Sequence, residues 1–163
     1  MLISDEYREL NRQLHEQNHG YGGGNKWAEF IGEFAEGTVL DYGCGKGHLS
    51  KLLPHLNIIE YDPSIPGKDE LPEPADTVVC NDVLEHVEPE YLDNVIDHLV
   101  SLTKKKLLLV IACRPGNKFL PDGSRAHRII KSEEWWGKKL AQYGNFLPFP
   151  PKSKRELSVV MYK

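Results

Sequence analysis

Excess charge of one sign, clustered cysteine and long apolar runs are all missing from this chain, and each absence removes a class of function. Twenty basic against 24 acidic residues leave a formal net charge of −4, so the chain has no general attraction to polyphosphate and no duplex DNA partner is expected. The three cysteines, Cys44, Cys80 and Cys113, lie far apart, each in or beside an apolar run. Such thiols are expected buried and free, as in a reducing compartment, rather than as a disulfide or zinc framework. The first ten residues, MLISDEYREL, carry charges and no apolar core, and no run approaches membrane-spanning length. A soluble, cytoplasmic protein with no membrane partner is expected. Repeats and low-complexity tails are also missing.

What is present fits one domain over residues 1–163, with 40% hydrophobic and 27% charged residues. Helices are expected near 3–17 and 26–36, on either side of the breaker HGYGGGN at 19–25. The strand TVLDY (38–42), helix GHLSKLLPHL (47–56) and strand NIIEYD (57–62) follow. Next come strand DTVVCND (76–82), helix PEYLDNVIDHLVSLT (89–103) and strand KLLLVIAC (106–113). The helix SEEWWGKKLAQYG (132–144) and strand RELSVVMYK (155–163) close the chain. Strands alternating with helices, two of them almost wholly apolar, argue for an α/β fold: a doubly wound, mainly parallel sheet with helices on both faces. Residues 1–36 are expected as a helical lid segment over a core of 37–163.

In such sheets ligands sit outside the carboxyl ends of the strands. There the stretch VLDYGCGKG places Gly43, Gly45 and Gly47 directly after a strand, where backbone must turn sharply and approach a ligand without a Cβ in the way. Asp62 ends the second strand about twenty residues on, in the position of an acid that accepts ribose hydroxyls. The later glycine of dinucleotide sites is missing, and Lys46 is not followed by Ser or Thr as a Walker loop requires. A nucleoside without phosphates is the expected ligand.

These residues resemble the class I S-adenosylmethionine-dependent methyltransferases, closely over residues 38–113 and loosely elsewhere. VLDYGCGKG is similar to their first motif, IIEYDPS to their ribose motif and ADTVVCNDVLEHV to their fourth-strand motif. The resemblance implies a Rossmann-like fold with an antiparallel last strand, S-adenosylmethionine as cofactor, Asp41, Gly43 and Gly45 at its methionine end, and Asp62 on its ribose. Too few residues separate Asp62 from Asp76 for the usual third strand, which is expected to be vestigial or missing. The family's adenine-binding acid then has only Asp69 as a candidate, and the adenine is expected instead between Pro63, Ile65 and the backbone from Cys80 to Asp82.

The stretch NDVLEHVEP asks for more than cofactor binding. Asp82, Glu85 and His86 follow at i, i+3 and i+4, a spacing that aligns side chains along one face of a helical turn. His127 lies in the connection after the next strand, whose end neighbours that of the fourth-strand motif in the expected order. The set Asp82, Glu85, His86 and His127 resembles the metal sites of the ubiquinone-biosynthesis O-methyltransferases and of the small-RNA 3′-terminal 2′-O-methyltransferases. It implies a divalent ion, manganese, cobalt, iron or magnesium, that lowers the pKa of an attacking hydroxyl. Without a metal, His86 or His127 is the expected general base. The plainer alternatives are a glutamate that pairs locally, a partly buried histidine, and His127 packed beneath Trp135 and Trp136.

The walls of an acceptor pocket are expected from Tyr7, His15 and Tyr21, with glycines 22–24 as a hinge, and from the loop RPGNKFLPDGSRAHR (114–128). Four cations in that loop, Arg114, Lys118, Arg125 and Arg128, suit either a solvated loop or an anionic acceptor such as a phosphorylated sugar, a nucleotide or an RNA end. KSKR at 152–155 is expected as a solvated loop. The expected reaction is methyl transfer to a hydroxyl of a small or anionic acceptor. N- or C-methylation of a small metabolite without metal, and a non-catalytic cofactor-binding partner subunit, are the alternatives.

Overall fold

The computed structural model describes residues 1–18, 26–149 and 155–163; Tyr21, the glycines at 22–24 and residues 152–154 lie outside them. In chain order come α1 (Asp5–Gln17), α2 (Ala28–Phe34), β1 (Thr38–Tyr42), α3 (His48–Leu52), β2 (Asn57–Tyr61), β3 (Ala75–Asn81), α4 (Leu92–Leu102), β4 (Thr103–Ala112), α5 (Glu133–Leu140), β5 (Phe146–Pro148) and β6 (Glu156–Tyr162). The six strands form one sheet in the order β2-β1-β3-β4-β6-β5. The first four run parallel, and β6 is antiparallel to both β4 and β5. This is a Rossmann-like α/β fold, mainly parallel with an antiparallel carboxyl-terminal strand.

The apolar run of β4 explains why the sheet is covered on both faces. Leu107 to Ala112 are all buried, as continuous burial demands of a central parallel strand. Leu107, Leu109 and Ile111 pack with Leu40 and Val78 against α4 and α5, while Leu108 and Val110 pack with Val39 and Val79 against α2 and α3. Helix α4 turns Leu92, Val95, Ile96, Leu99 and Leu102 inward, the three-and-four spacing of an amphipathic helix. Trp136 is fully buried under α5, whereas its neighbour Trp135 is partly exposed beneath the Lys131 ammonium.

Several boundaries differ from the sequence expectation for local reasons. Helix α3 stops at Leu52 because Pro54 disfavours helical backbone in the residue before it. Strand β4 begins at Thr103 rather than Lys106, so Lys104 and Lys105 also lie in the strand. Lys105 reaches Asp76 at 3.5 Å and Lys106 donates to the Phe34 carbonyl at 3.1 Å. Strand β5, three residues ending in a proline, is too short to register as a period in sequence. Strand β2 is one edge of the sheet and β5 the other, and residues 62–74 form turns and irregular backbone without a strand.

Candidate functional site

The carboxyl ends of β1, β2, β3 and β4 open into one cavity of about 360 Å³. Asp41, Gly43, Gly45, Asp62, Asp82, His86 and His127 all line it, together with Tyr7 and His15 of α1. Ser4 caps α1 by accepting from the Tyr7 N–H at 3.1 Å, while the Ser4 hydroxyl and N–H both donate to Glu88, at 2.6 and 2.8 Å. The Tyr7 hydroxyl donates to the His86 carbonyl at 2.5 Å. Those bonds hold α1 against the cavity that Tyr7 and His15 line.

On the β1/β2 side the glycines set the geometry. Gly43 has φ 77°, and a Cβ there would come within 2.4 Å of Val83 Cγ2. Only glycine fits that position. The Gly45 N–H donates to Asp62 Oδ2 at 3.0 Å and the Ser64 N–H to Asp62 Oδ1 at 2.9 Å, so one buried carboxylate closes the glycine loop onto the end of β2. The Lys68 ammonium bonds the Gly45 carbonyl at 3.2 Å and pairs with Glu60 at 2.8 Å, bracing the loop from outside. Burial pushes the Asp41 carboxyl up to about 7, and the nearby Glu60 and Asp62 charges push the same way. Asp69 is exposed, accepts from the Gly67 N–H at 3.1 Å and does not line the cavity. Pro63 and Ser64 do; Ile65 and Cys80 do not.

The β3/β4 side is built by tertiary contacts. Residues 118–126 double back as a short hairpin, with Phe119 bridged to Arg125 and a turn at Gly123 (φ 83°). Its return leg brings His127 against His86, ring centroids 4.6 Å apart and planes at 78°. His86 Nδ1 meets the Ala126 carbonyl, and His127 Nδ1 the Arg114 carbonyl, each at 2.8 Å. A carbonyl only accepts, so in both neutral rings the proton sits on Nδ1 and Nε2 keeps its lone pair. Burial, reinforced by His127, pushes His86 down to about 3, and burial also lowers His127.

Glu85 lies beneath the two rings, fully buried. Its Oε1 accepts from the Ala112 N–H at 3.1 Å, its carbonyl accepts from the N–H groups of Arg128 and Ile129, and its Oε2 has no hydrogen-bond partner among the described residues. Burial, with Asp82 adding, pushes this carboxyl up to about 8. One donor atom each from Glu85, His86 and His127 lies within 4.8 Å of the others. Asp82, expected as the first ligand of that set, stays outside it. The helical turn is a 3-10 turn that begins only at Leu84, and Asp82 precedes it in the left-handed region with φ 55°, so the i+3 and i+4 spacing does not align it with the other two. Nor does His127 pack beneath the tryptophans; its ring faces His86.

The sequence did not single out Asn81, Glu88 or Lys68. Asn81 lines the cavity, and its buried Oδ1 has no hydrogen-bond partner among the described residues. Glu88 carried a signal in principle, since Ser4 followed by Tyr7 marks a helix start that needs an anchor, but the anchor lies 84 residues away.

The methyltransferase domain family matches residues 11–153 of the chain. No curated protein matches it in sequence. Among solved structures, the chain is similar to a 1,6-didemethyltoxoflavin-N1-methyltransferase from Burkholderia thailandensis with bound 1,6-didemethyltoxoflavin and S-adenosylhomocysteine, at 15% identity and TM-score 0.68, covering 100% of this chain and 91% of the other. The magnesium protoporphyrin IX methyltransferase of Synechocystis PCC 6803 superposes with TM-score 0.55 at 19% identity, over 94% of this chain and 84% of that one. The mitomycin 7-O-methyltransferase MmcR does so with TM-score 0.60 at 15% identity, over 93% and 60%. At these identities the likeness is one of fold. Among the described residues no helix is long and apolar enough to cross a membrane.

Proposed function

We propose that this chain, which belongs to the methyltransferase domain family and is an S-adenosylmethionine-dependent methyltransferase, delivers its methyl group to a hydroxyl oxygen of a small acceptor. Asp62 would hold the cofactor ribose; Asp41, Gly43 and Gly45 would line its methionine end, and backbone near Asp82 its adenine. The observation that carries the hydroxyl reading is the pair of imidazoles whose Nδ1–H groups are fixed on backbone carbonyls at 2.8 Å. An alcohol is a poor nucleophile until its proton leaves, and a neutral imidazole with a preset tautomer takes that proton without reorganising. His127, the less deeply placed of the two and a cavity wall, is the proposed base; His86 supports its ring. The acceptor oxygen bonds the methyl carbon, the carbon–sulfur bond breaks with its electron pair going to sulfur, and the hydroxyl proton moves to His127 Nε2. S-adenosylhomocysteine and the methyl ether are the products.

A second reading rests on the unpartnered Oε2 of Glu85 beside the same imidazoles. One carboxylate and two imidazoles suit manganese, cobalt or iron, and magnesium where supply decides. A divalent ion bound there would supply a charge that lowers the pKa of an acceptor hydroxyl. Manganese titrated calorimetrically into chelator-stripped protein should give heat that Glu85→Gln, which keeps an acceptor for the Ala112 N–H, abolishes; no heat with the unaltered protein removes this reading.

The hydroxyl reading is tested by release of S-adenosylhomocysteine across matched hydroxyl and amine acceptors. Turnover should be confined to hydroxyl members. His127→Gln, which keeps a donor for the Arg114 carbonyl, should lower kcat about 10²- to 10⁴-fold and leave cofactor affinity within about twofold. Turnover on amines alone, or full kcat in the variant, would overturn it.

A further inference from the structure

Arg114 supplies the carbonyl that fixes His127, yet its own guanidinium has no partner among the described residues. The side chain is half-buried and lines the cavity. It makes no hydrogen bond, ion pair or ring contact among the described residues. Its charge is felt by Asp82 and by Glu85, but no carboxylate oxygen of either lies within ion-pair distance. The contrast with the neighbouring cations is informative: Arg125 sits over Phe119 and bonds the Gly116 carbonyl, and Arg128 sits over Tyr7 and bonds Ser124. Lys118, which is exposed, lines the same wall as Arg114 and has no ion pair among the described residues.

We infer that Arg114, assisted by Lys118, is the binding site for an anionic group of the acceptor, a carboxylate or a phosphate carried on the molecule whose hydroxyl is methylated. This rests on the reading that the β3/β4 side of the cavity holds the acceptor. A half-buried guanidinium that faces the cavity with no partner among the described residues can offer an incoming oxyanion two parallel charge-assisted bonds. The division of charge in the cavity supports the assignment. The β1/β2 side offers Asp41 and Asp62 to a cofactor that carries a sulfonium cation, whereas Arg114 and Lys118 stand together on the loop after β4. Because the carbonyl of Arg114 holds the proposed base while its side chain holds the anion, one residue would set the distance between the acceptor's charge and its reacting oxygen. Specificity would then extend to where the anion sits on the acceptor.

Direct binding to protein saturated with S-adenosylhomocysteine tests this without requiring turnover. Two matched pairs serve as probes: catechol with 3,4-dihydroxybenzoate, and glycerol with glycerol 3-phosphate. The anionic member of at least one pair should bind about tenfold or more tightly than its neutral partner, and the pair that responds separates carboxylate from phosphate. Arg114→Gln should abolish the difference, Lys118→Gln should reduce it severalfold, and both should leave S-adenosylhomocysteine affinity within about twofold. Equal binding within both pairs by the unaltered protein would overturn the inference while leaving the hydroxyl reading to its own assay. Loss of S-adenosylhomocysteine affinity in Arg114→Gln, with probe preference retained, would overturn it by assigning the guanidinium to the cofactor's carboxylate.

Discussion

The two sides of the cavity are held by different kinds of bond. At the ends of β1 and β2 everything is local: three glycines in five residues, and one aspartate whose two oxygens take backbone N–H groups from either flank. At the ends of β3 and β4 the same job is done by main-chain carbonyls of a distant loop, at Arg114 and Ala126, which orient rings that arrive from two separate segments. The first side is a preformed cradle for a constant ligand. The second depends on a hairpin placing its return leg correctly, and hairpins vary in length and sequence with little cost to the sheet beneath. A site that keeps one ligand and changes the other is arranged in this way.

That difference can be broken most severely at Asp62. Asp62→Ala removes a charged acceptor worth about 1.5–3 kcal/mol per bond and also releases the Gly45 and Ser64 N–H groups, so cofactor affinity should fall at least about tenfold by calorimetry. The two histidines should stay in place, and the anionic probes should still prefer the Arg114 wall. Unchanged cofactor affinity would remove Asp62 from the ribose.

A smaller effect should come from Asp41, whose folded pKa of about 7 lies well above its ordinary value. Between those two values the folded protein binds more protons than the unfolded one, so this group's contribution is fully stabilising below about 4 and is lost as pH rises through 7. The sulfonium of S-adenosylmethionine favours the ionised carboxylate and S-adenosylhomocysteine has no such charge. The affinity ratio between the two ligands should therefore rise from pH 6 to pH 8 and flatten in Asp41→Asn. A pH-independent ratio in the unaltered protein would separate Asp41 from the sulfonium.

Tyr7→Phe should have the least effect. It loses one hydrogen bond, to the His86 carbonyl, and should cost about 1 kcal/mol of stability in a denaturant titration. Cofactor affinity should change less than acceptor KM, because the bond anchors α1 on the β3/β4 side. The reverse order would place α1 with the cofactor.

Legibility in the sequence followed the same line. β1 was readable to the residue, and Gly43, Gly45 and Asp62 were readable as a set, because a strand, a turn and a strand end are determined by nearby residues. Glu85, His86 and His127 were identifiable by type, yet their joining depended on the hairpin at 118–126, which has no periodic signature. Asp82 was misgrouped because helical spacing was applied two residues before the turn begins. The carbonyls of Arg114 and Ala126 could not be found at all, since main-chain acceptors carry no residue identity. Strand β5 escaped for want of length.

Glu85 has a consequence for genetics. Its carboxylate ties down the end of β4 and its carbonyl receives two successive amides of the segment leaving the hairpin, so the residue works as a rivet through three layers of chain. Alanine there keeps the main-chain bonds but strips the Ala112 N–H of its acceptor and leaves a buried gap, so the fold weakens whether or not the acid has a chemical part. Glutamine keeps the rivet and removes only the ionisable oxygen, and a wide gap between the glutamine and alanine phenotypes at this position would mark the acid as architecture rather than chemistry.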